Sequence, residues 1–236
     1  EAKITDKTKV MIINSPNNPT GATLSKDDLE AIADLAKGYN LLILSDEAYE
    51  KITYDGMRHY SIGSFSGMKD LTISVFSFSK TYAMTGWRLG YATAPAEIIS
   101  EMAKLALFQT SCPSSVSQMA GIAALKGSQD CVTRMVKEYK RRRRLIMEGL
   151  NNIEGISCQK PDGTFYVFPN VANLMKSSYD FSKFLIRKAR VSTVPGKAFG
   201  DLGEGHIRLS YANSIENIRE ALERIESATK TLKRTL

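Results

Sequence analysis

Short apolar runs bounded by turn-forming or polar residues recur along the first part of the chain: Val10 to Ile13, Leu41 to Leu44, Leu71 to Phe76 and Leu89 to Ala92. Runs of this length with such flanks predict buried strands. Between the first two, Leu29, Ile32, Ala33, Leu35 and Ala36 fall at helical spacing over Ser25 to Lys37, and Ser25 with Asp28 resembles a capping box. A strand, helix, strand unit of this kind belongs to a parallel sheet with right-handed crossovers, so doubly wound α/β architecture is predicted here. The stretch from Asp46 to Asp70 has no comparably clean helical pattern but is long enough to hold a crossover. The stretch from Lys80 to Arg88 is too short for one, so the next strand is predicted to run antiparallel.

From Ile98 onward the pattern is helical, interrupted at Cys112-Pro113 and resuming from Ser114 through Leu150 with a break near Gly127. Ile156 to Gln159 and Thr164 to Phe168 then read as strands around a Pro161-Asp162-Gly163 turn, and Phe181 to Ala189 as a helix. Val191 to Val194 and His206 to Tyr211 read as further strands, and Ile215 to Leu232 as a closing helix. This places a boundary in the long helix: residues 1–140 form one domain with a mostly parallel sheet, and residues 141–236 a small α/β domain.

Composition adds bounds rather than function. A chain of 236 residues that is 43% hydrophobic and 24% charged fits an ordinary soluble globular protein. No apolar run reaches membrane-span length, and Glu1 to Lys9 has neither signal-peptide nor transit-peptide character. Cys112, Cys131 and Cys158 lie far apart with no metal-ligand or redox spacing, which makes a reduced, cytoplasmic protein without a metal the default. His59 and His206 read as ordinary surface or strand-end histidines. The net charge of +7 is densest at Lys140-Arg141-Arg142-Arg143-Arg144, but Leu145, Ile146 and Leu150 follow at helical spacing. A solvated helix face is therefore favoured over a nucleic-acid site.

Ligands of open α/β sheets bind outside the carboxyl ends of the strands. After the first predicted strand comes Asn14-Ser15-Pro16-Asn17-Asn18-Pro19-Thr20-Gly21; after the second, Ser45-Asp46-Glu47-Ala48-Tyr49; after the third, Ser77-Phe78-Ser79-Lys80. Arg88 would start the antiparallel strand on the same edge as Lys80. An amine beside a guanidinium can attack a carbonyl, and hydroxyls with an arginine suit a phosphate. A carboxylate is the usual partner of a pyridoxal phosphate ring nitrogen. Each feature has a plainer reading: Asn17 to Gly21 as a tight turn, Trp87 as a core aromatic, Arg208 as half of a structural ion pair.

Four strings in this order carry a family resemblance: Asn17-Asn18-Pro19-Thr20-Gly21; Asp46-Glu47-Ala48-Tyr49; Ser77-Phe78-Ser79-Lys80-Thr81 with Gly86-Trp87-Arg88-Leu89-Gly90; and Ile207-Arg208-Leu209-Ser210-Tyr211. Over its whole length the chain resembles the class I and II aminotransferases of fold type I, the group that includes aspartate aminotransferase. The resemblance implies pyridoxal 5'-phosphate as cofactor, with Lys80 carrying it as a Schiff base and Asp46 facing its ring nitrogen. Asn18 and Tyr49 would hydrogen-bond its phenolic oxygen, and Ser77 and Arg88 would hold its phosphate, with Ser79 a weaker candidate. Arg208 would clamp a substrate α-carboxylate. It further implies a homodimer acting on an amino acid and a 2-oxo acid, with no nucleic-acid or membrane partner. The context Thr85-Gly86-Trp87-Arg88 looks most like the aspartate branch, with 2-oxoglutarate as acceptor; aromatic amino acids, alanine and prephenate stay open. A lyase or synthase on the same fold and a non-enzymatic relative are the other readings. Chains of this family begin well upstream of the position matching Glu1, so the expectation is the carboxyl-terminal part of such an enzyme, comprising part of the large domain and a small C-terminal α/β domain.

Overall fold

A computed structural model describes residues 1–232. The chain divides into two compact units, one built from residues 1–17 and 22–134 and the other from residues 18–21 and 135–236.

The first unit is built on a four-stranded sheet in the order β1 (Val10–Asn14), β2 (Leu42–Asp46), β3 (Thr72–Ser77), β4 (Gly90–Thr93). The first three strands are parallel and β4 is antiparallel to β3, as the short Lys80 to Arg88 connection requires. Helix α1 (Lys26–Gly38) makes the crossover from β1 to β2. Its start is fixed by the sequence: Ser25 Oγ accepts from the Asp28 amide at 3.1 Å while the Asp28 carboxylate accepts from the Ser25 amide at 2.9 Å. Its stripe of Leu29, Ala33 and Ala36 is buried with Ile13, Leu41, Ile43, Ile62 and Met68 in one apolar cluster. Each large side chain so buried contributes roughly 1.5–3 kcal/mol. Between β2 and β3 the chain makes turns, a bridge residue at Thr53 and two 3-10 segments, Ile62–Ser64 and Lys69–Leu71.

Two predicted strands are less buried than their composition suggests: on β4 only Ala92 is partly covered and Tyr91 is 40% exposed. On β1, an edge strand, Val10 is 44% and Ile12 70% exposed. Helices α2 (Phe78–Thr81), α3 (Ala96–Thr110) and α4 (Ser115–Lys126) follow the sheet residues, and α5 (Asp130–Asn151) runs from this unit into the second. Helix α3 buries none of its residues, and Phe108 near its end is 88% exposed. Trp87, expected in a core, is 45% exposed. It sits in a 3-10 turn, Thr85–Trp87, that precedes β4 and buries none of its residues.

The second unit holds a small antiparallel sheet in the order β5 (Tyr166–Val167), β7 (Ile207–Ser210), β6 (Val194–Pro195). Helices α6 (Ser178–Lys188) and α7 (Ile215–Leu232) bury Phe181, Leu185, Ile218 and Ile225, and α5 adds Ile146 and Leu150. The predicted strand Ile156 to Gln159 is reduced to a single bridge between Ser157 and Asn170, and of Val191 to Val194 only Val194 pairs. Residues 18–21 join this unit through Gly21, whose carbonyl accepts from the amides of Asp162 (2.9 Å) and Gly163 (2.8 Å). Gly21 has φ +72°, and a Cβ there would run into Pro161, so both backbone and space demand glycine.

The basic run on α5 is not uniformly solvated. Arg141 and Arg144 are exposed, but Arg143 is 5% exposed and donates from Nη1 to the Pro161 carbonyl at 2.6 Å. Arg143, Ile146 and Leu150 share one helix face at i, i+3 and i+7, and that face is the buried one. Among the described residues no helix is long and apolar enough to cross a membrane.

Candidate functional site

In the first unit the register brings the predicted chemistry to one rim of the sheet. Asp46 ends β2, where it pairs with Asn14 on β1 and Val75 on β3. Ser77 ends β3 and pairs with Gly90, the first residue of β4. Lys80 lies one turn further, in α2, and Arg88 immediately precedes β4. The antiparallel return of β4 is what sets an arginine beside the end of a parallel strand.

Each side chain is oriented by local contacts. Asp46 Oδ1 accepts from the Ala48 amide at 3.1 Å, which turns the chain after β2. The Asp46 carbonyl accepts from Asn14 Nδ2 at 3.1 Å and from the Ser15 amide at 3.2 Å, tying β2 to the loop that carries Asn17. Tyr49 is buried, and the Lys80 ammonium lies 5.9 Å from the centre of its ring, within reach of a cation–π attraction. Ser77 caps α2 by accepting from the Ser79 amide at 3.2 Å, which leaves its hydroxyl hydrogen to donate. Arg88 is exposed with left-handed backbone, φ +50°, and its Nη1 donates to the Thr85 carbonyl at 2.8 Å. An amine, a carboxylate, a phenol, a hydroxyl and a guanidinium thus occupy one sheet rim.

In the second unit Arg208, on β7, donates from Nη1 to Asn18 Oδ1 at 2.6 Å. Its guanidinium lies 4.4 Å from the ring centre of Tyr166 and 5.0 Å from that of Phe199, so two aromatic faces and one amide fix its plane. Phe199 is in turn held edge-on by Phe168, which stacks on His206 at 5.1 Å. The partner of Arg208 is an amide and two rings rather than a carboxylate of a structural ion pair.

A charged residue beside the rim escaped the sequence reading. Glu47 is 1% exposed; His59 Nε2 lies 2.7 Å from its Oε2, and Ser61 Oγ donates to its Oε1 at 2.8 Å. Burial pushes its carboxyl pKa up, but hydrogen bonds from His59, Ser61 and Ser74 outweigh that and hold it below the ordinary value. His59 is therefore no surface histidine: its side chain is 10% exposed. The alternation of β2 carried past Asp46 held the signal. Leu41, Ile43, Ser45, Glu47 and Tyr49 are all buried, so period two puts Glu47 on the inward side and Asp46 on the other.

A mostly parallel sheet thus carries a lysine, a carboxylate, a phenol and an arginine at its carboxyl rim, the place where open α/β sheets bind ligands. Residues 1–225 match the family model described as aminotransferase class I and II, and the chain belongs to that family. It is 46% identical to the aromatic-amino-acid aminotransferase 2 of Thermococcus litoralis over 99% of this chain and 60% of the relative. It is also 46% identical to an aspartate aminotransferase of Pyrococcus abyssi, over 98% of this chain and 60% of that one. The crystal structure of an aromatic aminotransferase from Pyrococcus horikoshii superposes with a TM-score of 0.95 at 48% identity, covering 98% of this chain and 62% of the other. The fold is thus that of solved aminotransferases, and the chain spans about three-fifths of the length of these relatives.

Proposed function

We propose that this chain is the carboxyl-terminal part of a pyridoxal 5'-phosphate-dependent aminotransferase, and that residues 1–140 belong to its large, cofactor-binding domain. The observation that carries the reading is the sheet rim of the first unit, where Asp46, Tyr49, Ser77, Lys80 and Arg88 stand at the ends of adjacent strands. This donor set suits the cofactor: Ser77 has a hydroxyl hydrogen to give, and Arg88 has donors beyond the one taken by Thr85.

Lys80 would supply the amine that bonds the cofactor and the base that takes a proton from the substrate Cα. Asp46 would hold a proton on the ring nitrogen, Tyr49 and Asn18 would donate to the phenolic oxygen, and Ser77 and Arg88 would bind the phosphate. When bound, the cofactor supplies an aldehyde carbon and a ring that accepts electrons from the substrate. Arg208 presents a flat, charged donor fork suited to an α-carboxylate, a contact that lysine could not reproduce. The products of one full cycle are a new amino acid and a new 2-oxo acid. Names among the relatives include aspartate, aromatic amino acids, N-acetyl-LL-diaminopimelate and alanine; we favour an acidic amino acid with 2-oxoglutarate, on the Thr85-Gly86-Trp87-Arg88 context.

A homodimer is part of the proposal. It is supported by the apolar residues that α3 and α4 leave exposed in the first unit, among them Leu105, Phe108, Val116 and Met119, each above 60%.

The test is to reduce the full-length protein with borohydride in the presence of pyridoxal phosphate and map the labelled peptide. Label on Lys80, with amino-group transfer that depends on an added 2-oxo acid, supports the reading. Label elsewhere, or turnover without an oxo acid, refutes the aminotransferase assignment and in the second case points to a lyase.

A further inference from the structure

We propose that Glu47 is a positioning residue for Asp46: its buried carboxylate, tied to His59 and Ser61, fixes the turn that aims Asp46 at the cofactor. The inference rests on the reading of Asp46 as the ring-nitrogen partner.

Stability alone does not account for a carboxylate at this place. A buried ion or ion pair is often no more stabilising than apolar side chains of the same volume, because desolvation cancels most of the attraction. What Glu47 provides and a leucine would not is direction. Its two oxygens take separate partners, His59 Nε2 at 2.7 Å and Ser61 Oγ at 2.8 Å, and Ser61 Oγ lies 3.5 Å from Ser74 Oγ on β3. The Glu47 amide donates to the Val75 carbonyl at 2.9 Å, so main chain and side chain are both anchored. The next amide, that of Ala48, is the one that Asp46 Oδ1 accepts from. Asp46 therefore sits between two fixed points. Its carbonyl is held by Asn14 and Ser15, and its carboxylate by an amide whose place depends on Glu47. Moving Glu47 lets that amide drift and with it the Asp46 carboxylate.

The histidine belongs to the same device. His59 Nδ1 is buried and has no hydrogen-bond partner, so its contact with Glu47 is the polar contact that orients the ring. Through it the segment after Tyr49 is closed back onto the end of β2, and the Glu50 amide donates to the Glu47 carbonyl at 3.0 Å on the way.

The experiment compares Glu47→Gln and Ser61→Ala with the wild type in the full-length, cofactor-loaded protein. It follows steady-state kinetics and the pH dependence of the visible absorption band. Both variants are expected to retain label on Lys80. In both, kcat falls by about 10- to 100-fold with KM changed less than about twofold, as for a misplaced reacting partner. The pH midpoint of the band is displaced by about one unit, because Asp46 then holds the ring proton differently. Should Glu47→Gln not fold, Ser61→Ala, which removes one hydrogen bond from the same carboxylate, decides alone. Wild-type midpoints and kcat in variants that fold would overturn the proposal. So would a loss of heat stability with an unmoved midpoint, which assigns Glu47 to support of the fold only. A wild type that takes no label on Lys80 would sink the cofactor assignment itself, and the role of Glu47 with it.

Discussion

The two units handle apolar surface in opposite ways. In the second, α5 and α7 turn Ile146, Leu150, Ile218 and Ile225 inward, and α7 keeps its charges outside in i, i+4 pairs such as Glu220 with Arg224 and Glu226 with Lys230. In the first, α1 is built the same way, but α3 buries nothing and α4 only Ser117 and Gly121. Ile12 on β1 faces outward as well. The lesson is that helical periodicity reports a face to be buried without saying what buries it. Helices α5 and α7 have their apolar stripes covered within the second unit, although Ile186 on α6 and Leu202 stay exposed; α3 and α4 of the first display side chains whose burial only further protein surface can supply.

That contrast can be broken most sharply by chemistry. Lys80→Ala is expected to abolish labelling and lower turnover by roughly 10⁴-fold or more, while the near-UV signature of the second unit's aromatic cluster, Tyr139 with Phe165 and Tyr211, stays unchanged. A spectrum that changed there would mean that the two units do not respond independently. Next in size is Arg143→Ala, which strips the Pro161 carbonyl of its buried donor and leaves a cavity in the second unit. Urea unfolding should show a loss of about 2–4 kcal/mol, and a loss under about 1 kcal/mol would mean that the arginine is merely tolerated there.

The first unit's buried charge should respond to acid. The pKa of Glu47 is lowered on folding, so its stabilisation is present above the ordinary 4.5 and drains away as pH falls through the lowered value. The unfolding midpoints of wild type and Glu47→Gln should therefore differ near neutrality and converge in acid; a gap that widened in acid would contradict the sign. The smallest effect tests equality rather than contrast. Ser25 caps α1 in the first unit and Ser177 caps α6 in the second, each accepting the amide three residues on at 3.1 Å. Replacing either by alanine should cost about 1 kcal/mol. Unequal losses would show that one helix end is held by something besides its cap.

Much of this was legible from residue order alone. The parallel strands, α1 with its cap, the antiparallel return before Arg88 and the closing helix Ile215–Leu232 all follow from periodicity and connection length. The clustering of Asp46, Ser77, Lys80 and Arg88 followed from the strand-end rule. Less was readable where pairing is short: β5 and β6 span two residues each, too few for alternation to register. Charges turned inward are hard to read because their partners are remote: Arg143 falls in a run that reads as a solvated face, and Glu47 carries no burial signal of its own. Glu47 meets His59 across a loop, and Arg143 meets a carbonyl eighteen positions away. Trp87 was assigned to a core from its size, and a short turn on the surface carries it instead.

The discontinuity of the second unit also bears on how a ribosome must deliver it. Residues 18–21 emerge long before residue 135, yet Gly21 closes its hydrogen bonds only with Asp162 and Gly163. Whatever the first unit does early in synthesis, this four-residue piece waits for more than a hundred residues to be made, a contact of high sequence separation and hence of slow formation. A nascent chain stalled before Asp162 would hold Asn18 to Gly21 without the surface they pack on, and expression of residues 135–236 alone would yield a unit lacking its own earliest-made part.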